Sequence, residues 1–183
     1  MRWKIPDKTY LDYLRTTYDN RIPKTEYGES TFKPFFGELF NIGEVIYLTQ
    51  ISHPQPRHDT LRNNKDFIKI YRPSSNRLMT IINLNYMFPI HKSLISDLDY
   101  SKIGLYMNFA NKEDQRKRIS FLNIQLREIN KLDLAVKAKD LYTHKYTFPD
   151  DAVSKRCFDF KKLEAGCLAY IESQKKETPI SLD

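Results

Sequence analysis

Hydrophobic positions along this chain change period several times, and each change marks a candidate element. Tyr10, Leu11, Leu14 and Tyr18 recur at three- and four-residue spacing, which predicts a helix that Asp7 can cap and that ends near Asp19 and Asn20. A polar segment follows over residues 21–31. Residues 35–40 and 44–51 then read as two strands around Asn41-Ile42-Gly43, the strongest hairpin signal in the chain. After a polar loop, Phe67-Ile68-Lys69-Ile70-Tyr71 predicts a strand, Pro73-Ser74-Ser75-Asn76 a turn, and residues 78–84 the returning strand.

The second half is helical in period. Ile119, Leu122, Leu126, Ile129 and Leu132 predict one long helix over residues 111–142 with a strongly basic outer face. A last helix is predicted from Asp159, turning Phe160, Leu163, Cys167 and Ile171 inward, with a polar tail from Ser173. Residues 90–106 favour no single period. The order of helix, strands and helices predicts an α+β fold, one domain over residues 1–183, with an antiparallel sheet flanked by helices.

Composition supports that size of core: 183 residues, 40% hydrophobic and 13% aromatic. No run approaches the roughly 20 apolar residues of a membrane span, and Met1-Arg2-Trp3-Lys4-Ile5-Pro6 lacks a signal peptide's apolar stretch, so a cytoplasmic location is expected. Cys157 and Cys167 are too few for a disulfide framework and wrongly spaced for a metal knuckle; two buried thiols are expected. Lys plus Arg outnumber Asp plus Glu by 30 to 23, a net charge of +7 that suits a phosphate-rich partner. Neither half of the chain is a basic arm, so folding must assemble any positive patch.

The hairpin makes one geometric argument. If Ile42-Gly43 is a two-residue turn, paired positions sum to 85 and Lys33 lies opposite Ser52, with Cβ atoms roughly 5 Å apart. The same strand end continues as Ser52-His53-Pro54-Gln55-Pro56-Arg57-His58. Metal-free RNA cleavage needs the ribose 2′-hydroxyl deprotonated, the leaving 5′-oxygen protonated and phosphate charge stabilised, work for His, Lys and Arg. Two readings of His53 and His58 compete: solvated loop residues, or the groups that move the proton. No set of clustered carboxylates or metal-ligating spacings stands out, so no metal or cofactor is expected. Tyr10, Tyr13, Tyr18 and Tyr27 could stack on bases, and Arg116, Lys117 and Arg118 could hold phosphates, although such a run also suits a plain solvated helix face.

Four segments carry a family resemblance: Lys8-Thr9-Tyr10-Leu11-Asp12-Tyr13-Leu14; Lys33-Pro34-Phe35-Phe36-Gly37; Tyr47-Leu48 through Ser52-His53-Pro54 to His58; and Ile81-Ile82-Asn83-Leu84-Asn85-Tyr86-Met87-Phe88-Pro89-Ile90. Together they resemble the type III toxin-antitoxin endoribonucleases of the ToxN and AbiQ family. The resemblance implies a strongly twisted antiparallel sheet flanked by helices and a toxin that cuts single-stranded RNA to 2′,3′-cyclic phosphate and 5′-hydroxyl ends. It implies silencing by a repeated, folded RNA antitoxin in a closed protein-RNA assembly, with no DNA partner. It also implies catalytic roles for Lys33, Ser52 and a tyrosine nearest to Tyr27. Two departures stand out: His53 replaces a second small hydroxyl residue, and Gln55 stands where a lysine is expected, leaving Arg57 to act as phosphate clamp. A noncatalytic RNA-binding module is the competing class.

Overall fold

The computed structural model describes residues 1–26 and 31–177. Its first half runs β1 (Arg2–Pro6), α1 (Lys8–Thr17), β2 (Phe35–Gly37), β3 (Asn41–Ile42), β4 (Val45–Ser52), the short α2 (Arg57–Thr60), β5 (Phe67–Tyr71) and β6 (Leu78–Asn83). Then follow β7 (Phe88–His91), β8 (Ile95–Asp97), α3 (Lys112–Asn130), α4 (Leu134–Thr147), α5 (Ala152–Arg156) and α6 (Phe160–Glu177). The predicted α+β class holds. Asp7 caps α1 by accepting the Tyr10 N–H at 2.8 Å, and the helix buries Tyr10, Leu11 and Leu14.

β4 organises the sheet. One of its edges pairs with β3 and then β2, the other with β7 and then β6, all antiparallel. β1 and β8 extend the sheet beyond β2, and β5 extends it beyond β6. Every β4 residue except Ser52 is buried, which explains why the strand reads as a continuous apolar run broken only by Thr49 and Gln50. Both of those polar side chains find partners: Thr49 Oγ1 donates to the Asn83 carbonyl at 3.1 Å, and Gln50 donates twice, as described below.

The hairpin departs from its predicted turn but reaches the predicted register. Ile42 pairs with Val45, so Gly43 and Glu44 make the turn, and Gly43 takes the left-handed φ of 59° that favours glycine. Two extra residues between Phe36 and Asn41 then restore the sum of 85, with Phe36 opposite Thr49 and Phe35 opposite Gln50. Gly37 lies so close to β4 that an added Cβ would sit 2.5 Å from Leu48 Cδ2 and 3.0 Å from the Tyr47 carbonyl oxygen. Gly37→Ala is therefore expected to destabilise the protein by about 1–3 kcal/mol, as overpacking does, read as a lower urea midpoint; an unchanged midpoint would refute this account of the contact.

The single long helix expected over residues 111–142 is two helices. α3 stops at Asn130, where Lys131 donates back to the Glu128 and Ile129 carbonyls, and α4 starts a new axis with Leu134, Ala138 and Leu141 buried. Leu132 keeps an apolar residue in the turn, so the hydrophobic spacing passes through the break without registering it. β1, β7 and β8 were not among the predicted strands. β1 does alternate, Arg2-Trp3-Lys4-Ile5, but over too few residues to stand out; it pairs with β8 antiparallel, with Lys4 and Arg2 each 2.8 Å from Asp97 across that pair. Both cysteines are buried and unpaired, as expected. Among the described residues no helix is long and apolar enough to cross a membrane.

Candidate active site

Lys33 and Ser52 each stand two residues beyond the last β2–β4 pair, Phe35 and Gln50, and both line one cleft of about 820 Å³. The backbone of Lys33 is pinned on both sides. Its N–H donates to the Thr25 carbonyl at 2.8 Å, and its carbonyl accepts from Gln50 Nε2 at 2.7 Å. The same Gln50 nitrogen donates to the Lys24 carbonyl at 2.7 Å, so one amide at 7% exposure ties Lys24 to Lys33. Ser52 is held as firmly: its carbonyl accepts from Thr80 Oγ1 at 3.0 Å, and its Oγ accepts from Asn83 Nδ2 at 3.2 Å. With an N–H already directed at Oγ, the Ser52 hydroxyl proton is left to be donated elsewhere.

The cleft is cationic. Lys33, Arg57, Arg62 and Arg156 line it against a single carboxylate, Asp66. That carboxylate is buried and already engaged by Arg156 at 2.9 and 3.1 Å, a hydrogen-bonded pair that holds the guanidinium pKa above its usual value. Burial lowers the Lys33 pKa from that of a free lysine, a sign that the protein has partly stripped its ammonium of water.

The two histidines separate. His53 is exposed at the cleft, and its pKa lies below 6.5 because of desolvation first, then the charges of Lys33 and Arg118. His58 is buried, its ring packs on Phe67 at 5.6 Å, and its Nδ1 accepts the Gln55 N–H at 2.8 Å. Burial, with Arg57 and Lys69 nearby, lowers its pKa too. With Nδ1 accepting, the ring proton sits on Nε2. The 3.4 Å approach of Arg57 Nε to Nε2 then brings two N–H groups together and is no hydrogen bond. His58 thus holds the 55–58 turn, whereas His53 keeps an imidazole facing solvent.

The remaining sequence candidates scatter. Tyr10 is a correction: it is 0% exposed, with its hydroxyl donating to the Pro89 carbonyl at 2.7 Å, so its ring has no face for a base. Tyr27 lies outside the described residues. In the basic run of α3, Arg116 is exposed, and Lys117 pairs with Glu113 at 2.7 Å on its own helix. Arg118 turns inward instead, donating to the Phe32 carbonyl at 2.7 Å beside Lys33. Gln55 and Arg57 both line the cleft. Asn83, Asn85, Arg62 and the Asp66–Arg156 pair were not foreseen; the asparagines stood in the Ile81-Ile82-Asn83-Leu84-Asn85 motif but read as the end of a strand. No group of three or more His, Cys, Asp or Glu among the described residues gathers to hold a metal ion.

Residues 4–167 match the family model described as toxin ToxN of type III toxin-antitoxin systems. Among curated proteins, no sequence matches. Three solved structures share the fold. One, from a bacterial antiviral system regulated by a processed non-coding RNA, has a TM-score of 0.70 at 23% identity over 90% of this chain and 96% of its own. A second, from work on selective toxin inhibition by a non-coding RNA pseudoknot in bacterial type III systems, has a TM-score of 0.66 at 20% identity, over 93% and 98%. The third is AbiQ, a lactococcal anti-phage endoribonuclease, with a TM-score of 0.67 at 16% identity, over 93% and 98%.

Proposed function

This chain belongs to the ToxN toxin family of type III toxin-antitoxin systems, and from that premise we propose that it is a metal-independent endoribonuclease that cuts single-stranded RNA. The observation that carries the reading is the juxtaposition of Lys33, Ser52 and His53 at one cationic cleft. In the proposed reaction the 2′-oxygen of the RNA attacks the adjacent phosphorus while neutral His53 accepts its proton. The new 2′-O–P bond forms as the 5′-O–P bond breaks, and the departing 5′-oxygen takes up a proton from solvent water. The Ser52 hydroxyl donates to a phosphate oxygen, and Lys33 and Arg57 stabilise the charge of the pentacoordinate phosphate. His58, whose Nδ1 is engaged, supports the turn that carries these groups.

Silencing follows from the same surface. A repeated, folded RNA antitoxin, processed by the toxin itself, would enter a cleft already shaped for phosphates, and alternating toxin and RNA would close into an assembly in the cytoplasm. The non-coding RNAs associated with two structures of the same fold support this reading. The test of the chemistry is cleavage of a single-stranded RNA in excess EDTA. Cleavage is expected to persist and to leave 2′,3′-cyclic phosphate and 5′-hydroxyl ends; a strict need for added magnesium, or 3′-hydroxyl ends, would overturn it.

A further inference from the structure

A second groove, of about 850 Å³, opens between the loop before β5 and one face of α4. Lys137, Leu141 and His144 recur along α4 at helical spacing and line it together with Phe148, the residue just past the helix end. Its floor is apolar, from Ile68, Leu132 and Leu141, and its rim is basic, from Lys65, Lys69 and Lys137 against the single carboxylate of Asp140. Phe148 stands at the groove with 56% of its surface exposed, its ring tilted against that of His144 at 5.0 Å between centroids, which leaves part of an aromatic surface open to the groove.

The rim cations are positioned. Lys65 Nζ lies 3.2 Å from His144 Nδ1, and His144 Nε2 lies 3.1 Å from Asp151. With Nδ1 accepting from the ammonium, the ring proton belongs on Nε2, donated to Asp151, and two N–H bonds of Lys65 remain for a ligand. Lys69 Nζ is steadied by the Asp59 carbonyl at 3.1 Å. Fixed cations around a flat apolar floor with an exposed aromatic ring match a nucleotide, which offers an anion and a planar base together. The groove also meets the candidate active site, because Asn64 lines both. A ligand that continues from one into the other must be a chain that carries the same chemistry at each link.

We propose that this groove is a second RNA-binding site, in which Phe148 stacks on an unpaired base and Lys65, Lys69 and Lys137 hold the flanking phosphates of a strand that extends from the cleft past Asn64. The assignment rests on the reading of the cleft as the place of RNA cleavage. It makes the groove a determinant of which strands are held, outside the chemistry itself.

The test uses the full chain and two readouts. Affinity is measured for a 2′-O-methyl oligoribonucleotide of about 12 nucleotides, which lacks the 2′-hydroxyl nucleophile, and cleavage is measured on a dinucleotide too short to leave the cleft. Phe148→Ala should weaken the long oligonucleotide about tenfold. Lys65→Gln with Lys137→Gln should reduce the slope of log affinity against log salt by about 1.4, the share of two single-strand phosphates. Both variants should cleave the dinucleotide at the parent's rate, and because all three side chains are exposed, their unfolding transitions should match the parent's. Unchanged affinity and salt slope in both variants would overturn the proposal, as would displacement of the oligonucleotide by an equal charge of polyglutamate, which would mark a site for acidic protein. A parent that binds the oligonucleotide but cleaves nothing would sink the nuclease reading alone, leaving the groove to be judged by affinity.

Discussion

Lys33→Ala is expected to slow RNA cleavage by about 10² to 10³ and to abolish growth arrest, while leaving the protein folded. The magnitude is that of removing one preorganised charge from a developing anion. Folding should survive because the position is held through the backbone: the Lys33 N–H to Thr25 and the Gln50 amide to the Lys33 carbonyl remain when the side chain is cut back. A shift of more than a few degrees in the thermal transition would show that the side chain is structural. A second readout separates an electrostatic role from simple loss of shape. Lys33 is one of the charges that lower the His53 pKa, so its removal should move the acidic limb of the pH-rate profile upward. A variant that stayed fully toxic would remove Lys33 from the site.

His53→Ala is expected to cost about 10² to 10⁴ in single-turnover rate, the usual contribution of a general base, with RNA affinity changed little. The sign of its pH dependence follows from its surroundings. Desolvation, Lys33 and Arg118 all disfavour the imidazolium, so the pKa lies below 6.5 and the neutral base predominates at pH 7. Protonation, and with it loss of rate, sets in only as the pH falls below 6.5. The parent's acidic limb should therefore lie on that side of the ordinary histidine value, and the variant should lose that limb. Single-turnover rates within about threefold of the parent from about pH 5.5 to 8.5 would transfer the proton to Tyr27 or, against its buried setting, to His58.

What the sequence disclosed follows from the range of the forces involved. The cap at Asp7 and the period of Tyr10, Leu11 and Leu14 are local, and the first helix could be read from them. The Lys33–Ser52 juxtaposition was also legible, because an antiparallel register is simple arithmetic: the turn moved by one residue, yet the two extra residues before Asn41 returned the strands to the same sum. Strands as short as β1 and β8 gave too few residues for their alternation to be read, although Arg2-Trp3-Lys4-Ile5 does alternate. Amphipathic spacing told which side of a residue faces inward but not whether its aromatic ring ends there, so Tyr10 passed for a base-stacking residue until its burial was known. Within the candidate site, the residues that sequence reasoning named and the cleft gathers, Lys33, Ser52 and His53, stand near one strand end. Those brought from far along the chain, Asn83, Asp66 and Arg156, were not named, because nothing in their local sequence distinguishes a cleft wall from a turn.

The distance that hid those residues also sets a timetable for synthesis. Arg156 meets Asp66 across 90 positions, and Arg118 meets the Phe32 carbonyl across 86. A chain leaving the ribosome presents Lys33, Ser52 and His53 early, but the Arg156 guanidinium of the cleft wall emerges only after most of the protein has been made. A message broken before the codon for Arg156 therefore yields a fragment that lacks the Asp66–Arg156 pair of the cleft wall.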